Sequence, residues 1–311
     1  MAENFIKNGK LIPEKEWHSH IAKLEDEVKE LIKQNKEEKL SEVKLYKKLK
    51  DKLKDAIIEA IKKRIPEQPF AVFFSGGVDS TFISMMLKKL GAKFTCYTVG
   101  FMAEKGELPQ DIVYARTIGD ELKLMVVTKL FNLDEAEKII KKTVSTLPKC
   151  EGIQLVVNAG VGSVIAAASS IAKEKIFFSG IGSEEIFAGY ERHMKAKDAN
   201  KECWNGLKNM WKRDLERDYT IGKEIGIDIR TPLMDEDVIK IAMQIDASKK
   251  INKSHKKIVF REIAEDLGLK KEFAWRKKVG AQYGSKFDRA IEKLAKKNRF
   301  KTKGDYLESL K

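Results

Sequence analysis

An α/β fold, built on an open and mostly parallel sheet with helices on both faces, is predicted from three observations. Short apolar runs alternate with segments of three- and four-residue apolar spacing between residues 71 and 172. At residues 71–80 an apolar run breaks into Ser75-Gly76-Gly77 and empties into a helical pattern; at residues 175–190 a second run does the same through Gly180 and Gly182. Sheets of this kind bind ligands beyond the carboxyl ends of their strands, so both glycine turns are candidate binding loops.

Taken in order, residues 1–16 carry little pattern, and Pro13 places the start of any long helix after it. Trp17, Ile21, Leu24, Val28, Leu31 and Ile32 mark one amphipathic helix, and the stripe lapses at Gln34-Asn35-Lys36. Leu45, Leu49, Leu53, Ile57, Ala60 and Ile61 mark a second helix over residues 41–64, ended by Pro66. The domain boundary falls between residues 35 and 50, giving a helical extension over 1–48 and a main domain over 49–311. The first helix supplies about two heptads, so packing on the main domain is favoured over a partner-binding zipper.

Residues 71–74 suit a buried strand, and Phe82, Ile83, Met86, Leu87 and Leu90 outline the helix that follows. Residues 93–99 read as a strand ending at Gly100, 101–110 as a loop, and a helix begins near Asp111. Residues 124–127 fit a third strand, and 130–146 a helix stopped by Pro148. The Ala-rich stretch 155–172, with Gly160 and Gly162, suits a closely packed buried helix, and 175–178 a fourth strand. Trp204 and Trp211 are read as core residues on one helix face, and there is no internal repeat or low-complexity linker.

Composition excludes several classes. Hydrophobic residues make up 42% of the 311, no apolar run is expected to reach the roughly 18 residues of a membrane span, and the N-terminus lacks a signal-peptide core. A cytoplasmic protein with no membrane partner is therefore expected. Cys96, Cys150 and Cys203 are widely spaced, and His18, His20, His193 and His255 show no metal spacing, so neither a disulfide framework nor a zinc site is indicated. The net charge of +14 comes from 61 basic and 47 acidic residues spread along the chain. It has three readings, a solvated surface, the Lys/Glu enrichment of proteins from hot environments, and a field that attracts nucleic acid; no RNA-binding motif accompanies it, which disfavours RNA.

The first turn carries the sharpest chemistry. Two glycines let the backbone come close to a ligand, and the helix N-terminus beyond them favours an anion. Asp79 is a poor neighbour for a bare phosphate, which points to Mg²⁺ between them. The pattern is neither the Walker loop nor the dinucleotide Gly-x-Gly-x-x-Gly.

From Ser75 to Ser80 the chain resembles the pyrophosphate-loop (PP-loop) ATP pyrophosphatases, whose fingerprint is Ser-Gly-Gly-x-Asp-Ser. The resemblance narrows at residues 179–190, which are similar to the asparagine synthetase branch's Ser-Gly-Glu-Gly-x-Asp-Glu-x-Phe-x-Gly-Tyr. Arg230-Thr231-Pro232-Leu233-Met234-Asp235 and Trp275-Arg276-Lys277-Lys278 with Gln282-Tyr283-Gly284 resemble its Arg-x-Pro-Phe-Leu-Asp and Arg-x-Lys segments, in the same order. The resemblance implies a doubly wound, mostly parallel sheet of the adenine nucleotide alpha hydrolase-like class, with the N-terminal helical extension and a helical C-terminal lobe. It implies ATP and Mg²⁺ as cofactors. Ser75, Gly76, Gly77, Asp79 and Ser80 would hold pyrophosphate and Mg²⁺, with Glu184 in place of the branch's second metal-binding Asp. Val72, Phe73, Gly100, Ser179 and Gly180 would line the nucleotide pocket, and Lys278 would neutralise charge on the α-phosphate and leaving pyrophosphate. Arg230 is read as a partner of Asp235 that fixes its loop.

The implied activity is that of an AMP-forming carbon–nitrogen ligase of amino-acid metabolism, acting on a small carboxylate with ammonia or an amine. Two departures qualify it. Position 2 is Ala2 and only residues 1–48 precede the main domain, so a glutaminase domain is not expected and ammonia would come free or from a separate glutaminase subunit. Ile181 stands where the branch has Glu, which puts asparagine itself in doubt as product. Two other readings stay open: a PP-loop enzyme modifying tRNA, which the missing paired cysteines weaken, and a nucleotide-binding regulatory subunit.

Overall fold

A computed structural model describes residues 3–103, 106–277 and 280–311. They form two compact units, Met1–Ile65 with Gly180–Lys212 and Arg230–Trp275, and Pro66–Ser179 with Arg213–Ile229 and Arg276–Lys311.

The first unit opens with a hairpin, β1 (Ile6–Lys7) and β2 (Lys10–Leu11), turned at Asn8 and Gly9 with φ of 52° and 70°. Asn-Gly is the pair that two-residue turns of this hand prefer, so residues 1–16 did carry a pattern. Helix α1 (Glu14–Glu37) starts directly after Pro13 and buries Trp17, Ile21, Leu24 and Val28. Helix α2 (Glu42–Lys62) is capped by the Ser41 hydroxyl, which accepts from the Lys44 N–H at 3.4 Å, and buries Leu49, Leu53, Ile57, Ala60 and Ile61. Both pack within this unit on helix Glu236–Gln244, and the Trp17 indole donates to the Leu207 carbonyl at 2.9 Å. Trp204 is buried as expected; Trp211 lies in a π-helical turn and donates to the Ile12 carbonyl at 2.8 Å.

Lys250 is fully buried in this unit, with its ammonium 3.6 Å from the Met243 sulfur. Burial pulls its pKa from 10.5 down to about 8, against the opposing pull of Cys203, Asp246 and Asp198. Below pH 8 both folded and unfolded chains hold the proton, and the folded state bears the burial penalty, on the order of 3 kcal/mol. Between pH 8 and 10.5 only the unfolded chain holds it, so stability gains with rising pH in that window. Lys250→Met is therefore expected to exceed the unaltered protein in unfolding free energy at pH 7, with the gap narrowing above pH 8. Urea unfolding of both proteins at pH 7 and 9 checks this; a gap independent of pH would refute it.

The second unit holds the sheet: β3 (Phe70–Phe73), β4 (Phe94–Phe101), β5 (Val126–Phe131), β6 (Ile176–Phe178) and β7 (Asp228–Arg230), in the order β5-β4-β3-β6-β7. β3 pairs in parallel with β4 and β6, and β4 in parallel with β5. The chain proceeds to one side of β3 and then returns to the other, so β3 marks the switch point where such sheets bind ligands. Helices α3 (Val78–Lys89), α4 (Gln110–Glu121), α5 (Leu133–Thr146) and α6 (Gly152–Ile171) connect the strands.

Three boundaries differ from expectation. β4 continues through Gly100 to Phe101, where Gly100 lets Pro109 approach: a Cβ there would stand 2.5 Å from the Pro109 ring. β5 runs to Phe131, and α5 starts only at Leu133, because Asn132 and Glu135 form a reciprocal capping box at 2.9 and 3.0 Å. Helix α6 has 20 residues without a charged side chain and is long and apolar enough to cross a membrane, which corrects the expectation that no stretch reaches that length. Leu155, Ala159, Ala167 and Ala168 spend that apolarity in the core, with Phe177 from β6 and Phe287, Ile291 and Leu294 from helix Phe287–Lys297.

Candidate active site

The first loop leaves the central strand. Phe74 still pairs with the sheet through its N–H to the Tyr97 carbonyl at 2.9 Å, and its own carbonyl accepts from the Thr98 hydroxyl. The chain then turns at Gly76, with φ of +63°; a Cβ there would lie 2.9 Å from the Tyr114 Cβ, so both the backbone angle and the space demand glycine. Ser75 and Ser80 close the loop on itself. The Ser80 hydroxyl accepts from the Ser75 N–H at 3.3 Å and donates to the Gly77 carbonyl at 3.2 Å, while the Ser75 hydroxyl accepts from the Gly77 N–H at 3.3 Å. Gly77 caps α3, and Asp79, buried, stands in its first turn.

Sequence reading missed Arg276 as a loop contact. Its Nε donates to the Gly76 carbonyl at 3.1 Å and its Nη2 to the Ser75 carbonyl at 3.5 Å, while the guanidinium lies over the Tyr114 ring at 3.9 Å. Val72 and Phe73 alternate across the central strand, so their side chains take opposite faces of the sheet. Val72 is fully buried, and Phe73 stacks on Phe177 at 4.4 Å. Gly100 lies near the end of β4, and Ser179 just past β6.

The second glycine turn is built inside the other unit. Gly182 has φ of +90°, and a Cβ there would stand 2.1 Å from the Met234 sulfur. The short helix Ser183–Ile186 follows, with the Ser183 N–H bonded to the Gly180 carbonyl at 3.4 Å. Lys257, buried and in the left-handed region at φ of 59°, donates to the Ser183 hydroxyl at 2.8 Å and pairs with Glu184 Oε1 at 2.7 Å. Gly189 makes room for this pair: a Cβ there would lie 1.8 Å from Glu184 Oε2 and 2.5 Å from the Lys257 Cε. The glycine of the Phe-x-Gly-Tyr motif is thus explained by a carboxylate and a lysine, while Phe187 stacks on Phe260 at 4.8 Å as core.

The sheet unit thus brings together Ser75, Gly76, Gly77, Asp79 and Ser80 around one turn, with Val72, Phe73, Gly100 and Ser179 on its strands, and the other unit holds Gly180 and Glu184. Lys278 lies outside the described residues. Asp235 takes different partners from those expected: burial raises its pKa, but Lys63 and Arg64 outweigh that and hold it below the usual carboxylate range. Among the described residues no three Asp, Glu, His or Cys side chains cluster as a metal site. Mg²⁺ needs only one or two carboxylates besides phosphate oxygens and water, and the buried Asp79 carboxylate at the loop fits that donor set.

The chain matches the family model described as asparagine synthase over residues 52–217 and 193–304. A protein of Methanocaldococcus jannaschii named "Putative asparagine synthetase (glutamine-hydrolyzing) 1" is 29% identical over 283 residues, covering 77% of this chain and 50% of that protein. The asparagine synthetase (glutamine-hydrolyzing) of Homo sapiens is 25% identical over 225 residues, covering 70% and 40%. The chain therefore spans about half the length, or less, of these curated relatives. Among solved structures, NMN synthetase from Francisella tularensis aligns with 86% of this chain and 91% of its own, with a TM-score of 0.39 and 14% identity.

Proposed function

The chain belongs to the asparagine synthase family, and from that premise we propose that it is an ATP-dependent, AMP-forming ligase joining nitrogen to an activated carboxylate. The observation that carries the reading is the 75–80 loop. It stands at the carboxyl end of the central strand, at the switch point of the sheet, and opens the N-terminus of a 12-residue helix. Ser75, Gly76 and Gly77 present backbone to the β- and γ-phosphates. Asp79 supplies a carboxylate oxygen suited to Mg²⁺, and Glu184 is assigned the branch's second metal position by resemblance; Mg²⁺, when bound, would neutralise phosphate charge.

A substrate carboxylate oxygen attacks the α-phosphorus, the bond to the bridging oxygen breaks, and pyrophosphate leaves with the electron pair. Ammonia or an amine then attacks the activated carbon, sheds a proton, and AMP departs. The protein contributes position and charge, with Lys278 assigned to the developing charge on the phosphates. Ile181 replaces the branch's Glu, so the acceptor is a carboxylate other than aspartate or is served by a different nitrogen nucleophile. A separate glutaminase subunit would be one source of that nitrogen.

The net charge of +14 favours tRNA as a second acceptor class. A product assay with ATP, Mg²⁺ and ammonium, scanning aspartate, other carboxylates and total tRNA, separates the readings. AMP and pyrophosphate formed only with small carboxylates support the ligase; formation only with tRNA supports the modifying enzyme. ADP and phosphate would overturn both.

A further inference from the structure

The Arg276 guanidinium meets the glycine loop through two successive carbonyls. Each of those carbonyls belongs to a planar trans peptide whose N–H points the opposite way. Contacts to the Ser75 and Gly76 oxygens at 3.5 and 3.1 Å therefore turn the N–H groups of Gly76 and Gly77 away from the guanidinium, the Gly77 N–H meeting the Ser75 hydroxyl at 3.3 Å. The same contact draws the negative ends of two peptide dipoles out of the anion's path. Tyr114 sets the geometry: its Cβ side packs against Gly76, leaving no room for a side chain there, while its ring lies 3.9 Å from the guanidinium carbon. Arg276 is itself buried, and that burial pulls its pKa down against the opposing pull of Asp111 and Tyr114.

We propose that Arg276, stacked on Tyr114, is a positioning residue for polyphosphate: it locks the carbonyls of the loop so that the opposite edge, with the Gly76 N–H and the Ser75 hydroxyl that takes the Gly77 N–H, faces the anion. The inference rests on the reading of the 75–80 loop as a phosphate loop. Lysine cannot replace it, because an ammonium neither forks to two carbonyls nor stacks flat on the ring. The requirement belongs to the phosphate chain beyond the α-phosphate, so it is selective among nucleotides.

Calorimetric titration of the full chain with Mg²⁺-pyrophosphate, Mg²⁺-ATP and AMP tests this. Arg276→Met is expected to weaken pyrophosphate and ATP binding by about tenfold to a hundredfold while leaving AMP within about threefold. Arg276→Lys should recover less than half of that loss on a logarithmic scale, and free guanidinium ion should restore affinity to Arg276→Ala. Tyr114→Leu, which keeps a side chain against Gly76 but removes the ring, should show a smaller loss of the same selectivity, and it carries the test if the Arg276 variants do not fold. Unchanged pyrophosphate affinity in folded Arg276→Met would overturn the inference, as would equal loss for AMP and pyrophosphate. If the unaltered protein binds neither pyrophosphate nor ATP, the phosphate-loop reading itself falls and this inference with it.

Discussion

Arg64→Leu is expected to lower the unfolding free energy by about 3–5 kcal/mol. Arg64 is only 3% exposed, and both its acidic partners are as deeply buried. Its Nε and Nη2 donate to the Glu3 carboxylate at 3.0–3.2 Å, and its Nη1 donates to Asp235 at 2.9 Å and to the Ala60 carbonyl at 3.0 Å. Glu3 is satisfied further by the Thr231 N–H at 3.0 Å and hydroxyl at 2.9 Å, and Asp235 by Lys63 and by the Asp237 N–H at 3.2 Å. Removing the guanidinium strands the Glu3 carboxylate in a dry interior and leaves Asp235 with Lys63 as its cation, and stranded charge is what makes such losses large. Adding Glu3→Gln should recover part of the loss, since it removes the stranded charge. Urea unfolding of the two variants checks the claim; a loss under about 1 kcal/mol for Arg64→Leu would mean that water reaches the site and screens it.

This network also shows where sequence reading ends. The strand–glycine–helix units at Gly76 and Gly182 were legible because their signals are local: an apolar run, glycines where the chain must turn, and helical spacing afterwards. The helices bearing Leu49 and Leu53, or Phe82 and Met86, were legible for the same reason. Glu3, Arg64 and Asp235 lie 61 and 171 residues apart in sequence, and no periodicity announces such a pairing. Asp235 was accordingly assigned to Arg230, its near neighbour. Glu184 and Lys257 are another such pair. Two misses were avoidable: Asn8-Gly9 is a turn signal, and Asn132 with Glu135 three residues on is a capping box, each overlooked because the apolar pattern was given more weight.

Lys278→Met is expected to cut the rate of pyrophosphate formation about a hundredfold or more, with ATP affinity changed by less than about threefold. The assignment comes from the resemblance to the family's Arg-x-Lys segment. Lys257, the buried lysine beside the acidic motif, is committed to Ser183 and Glu184 within its own unit. Arg276 donates to the loop carbonyls of Ser75 and Gly76. The charge assigned to Lys278 grows only as the α-phosphorus is attacked and pyrophosphate departs. A cation serving that moment is stronger in the transition state than in the ground state, so its loss falls on turnover and not on binding. Single-turnover pyrophosphate release with the acceptor found by the product assay, together with calorimetric ATP affinity, measures the two separately. A drop in affinity matching the drop in rate would reassign Lys278 to holding the nucleotide; a rate within tenfold of the unaltered protein would remove it from the chemistry altogether.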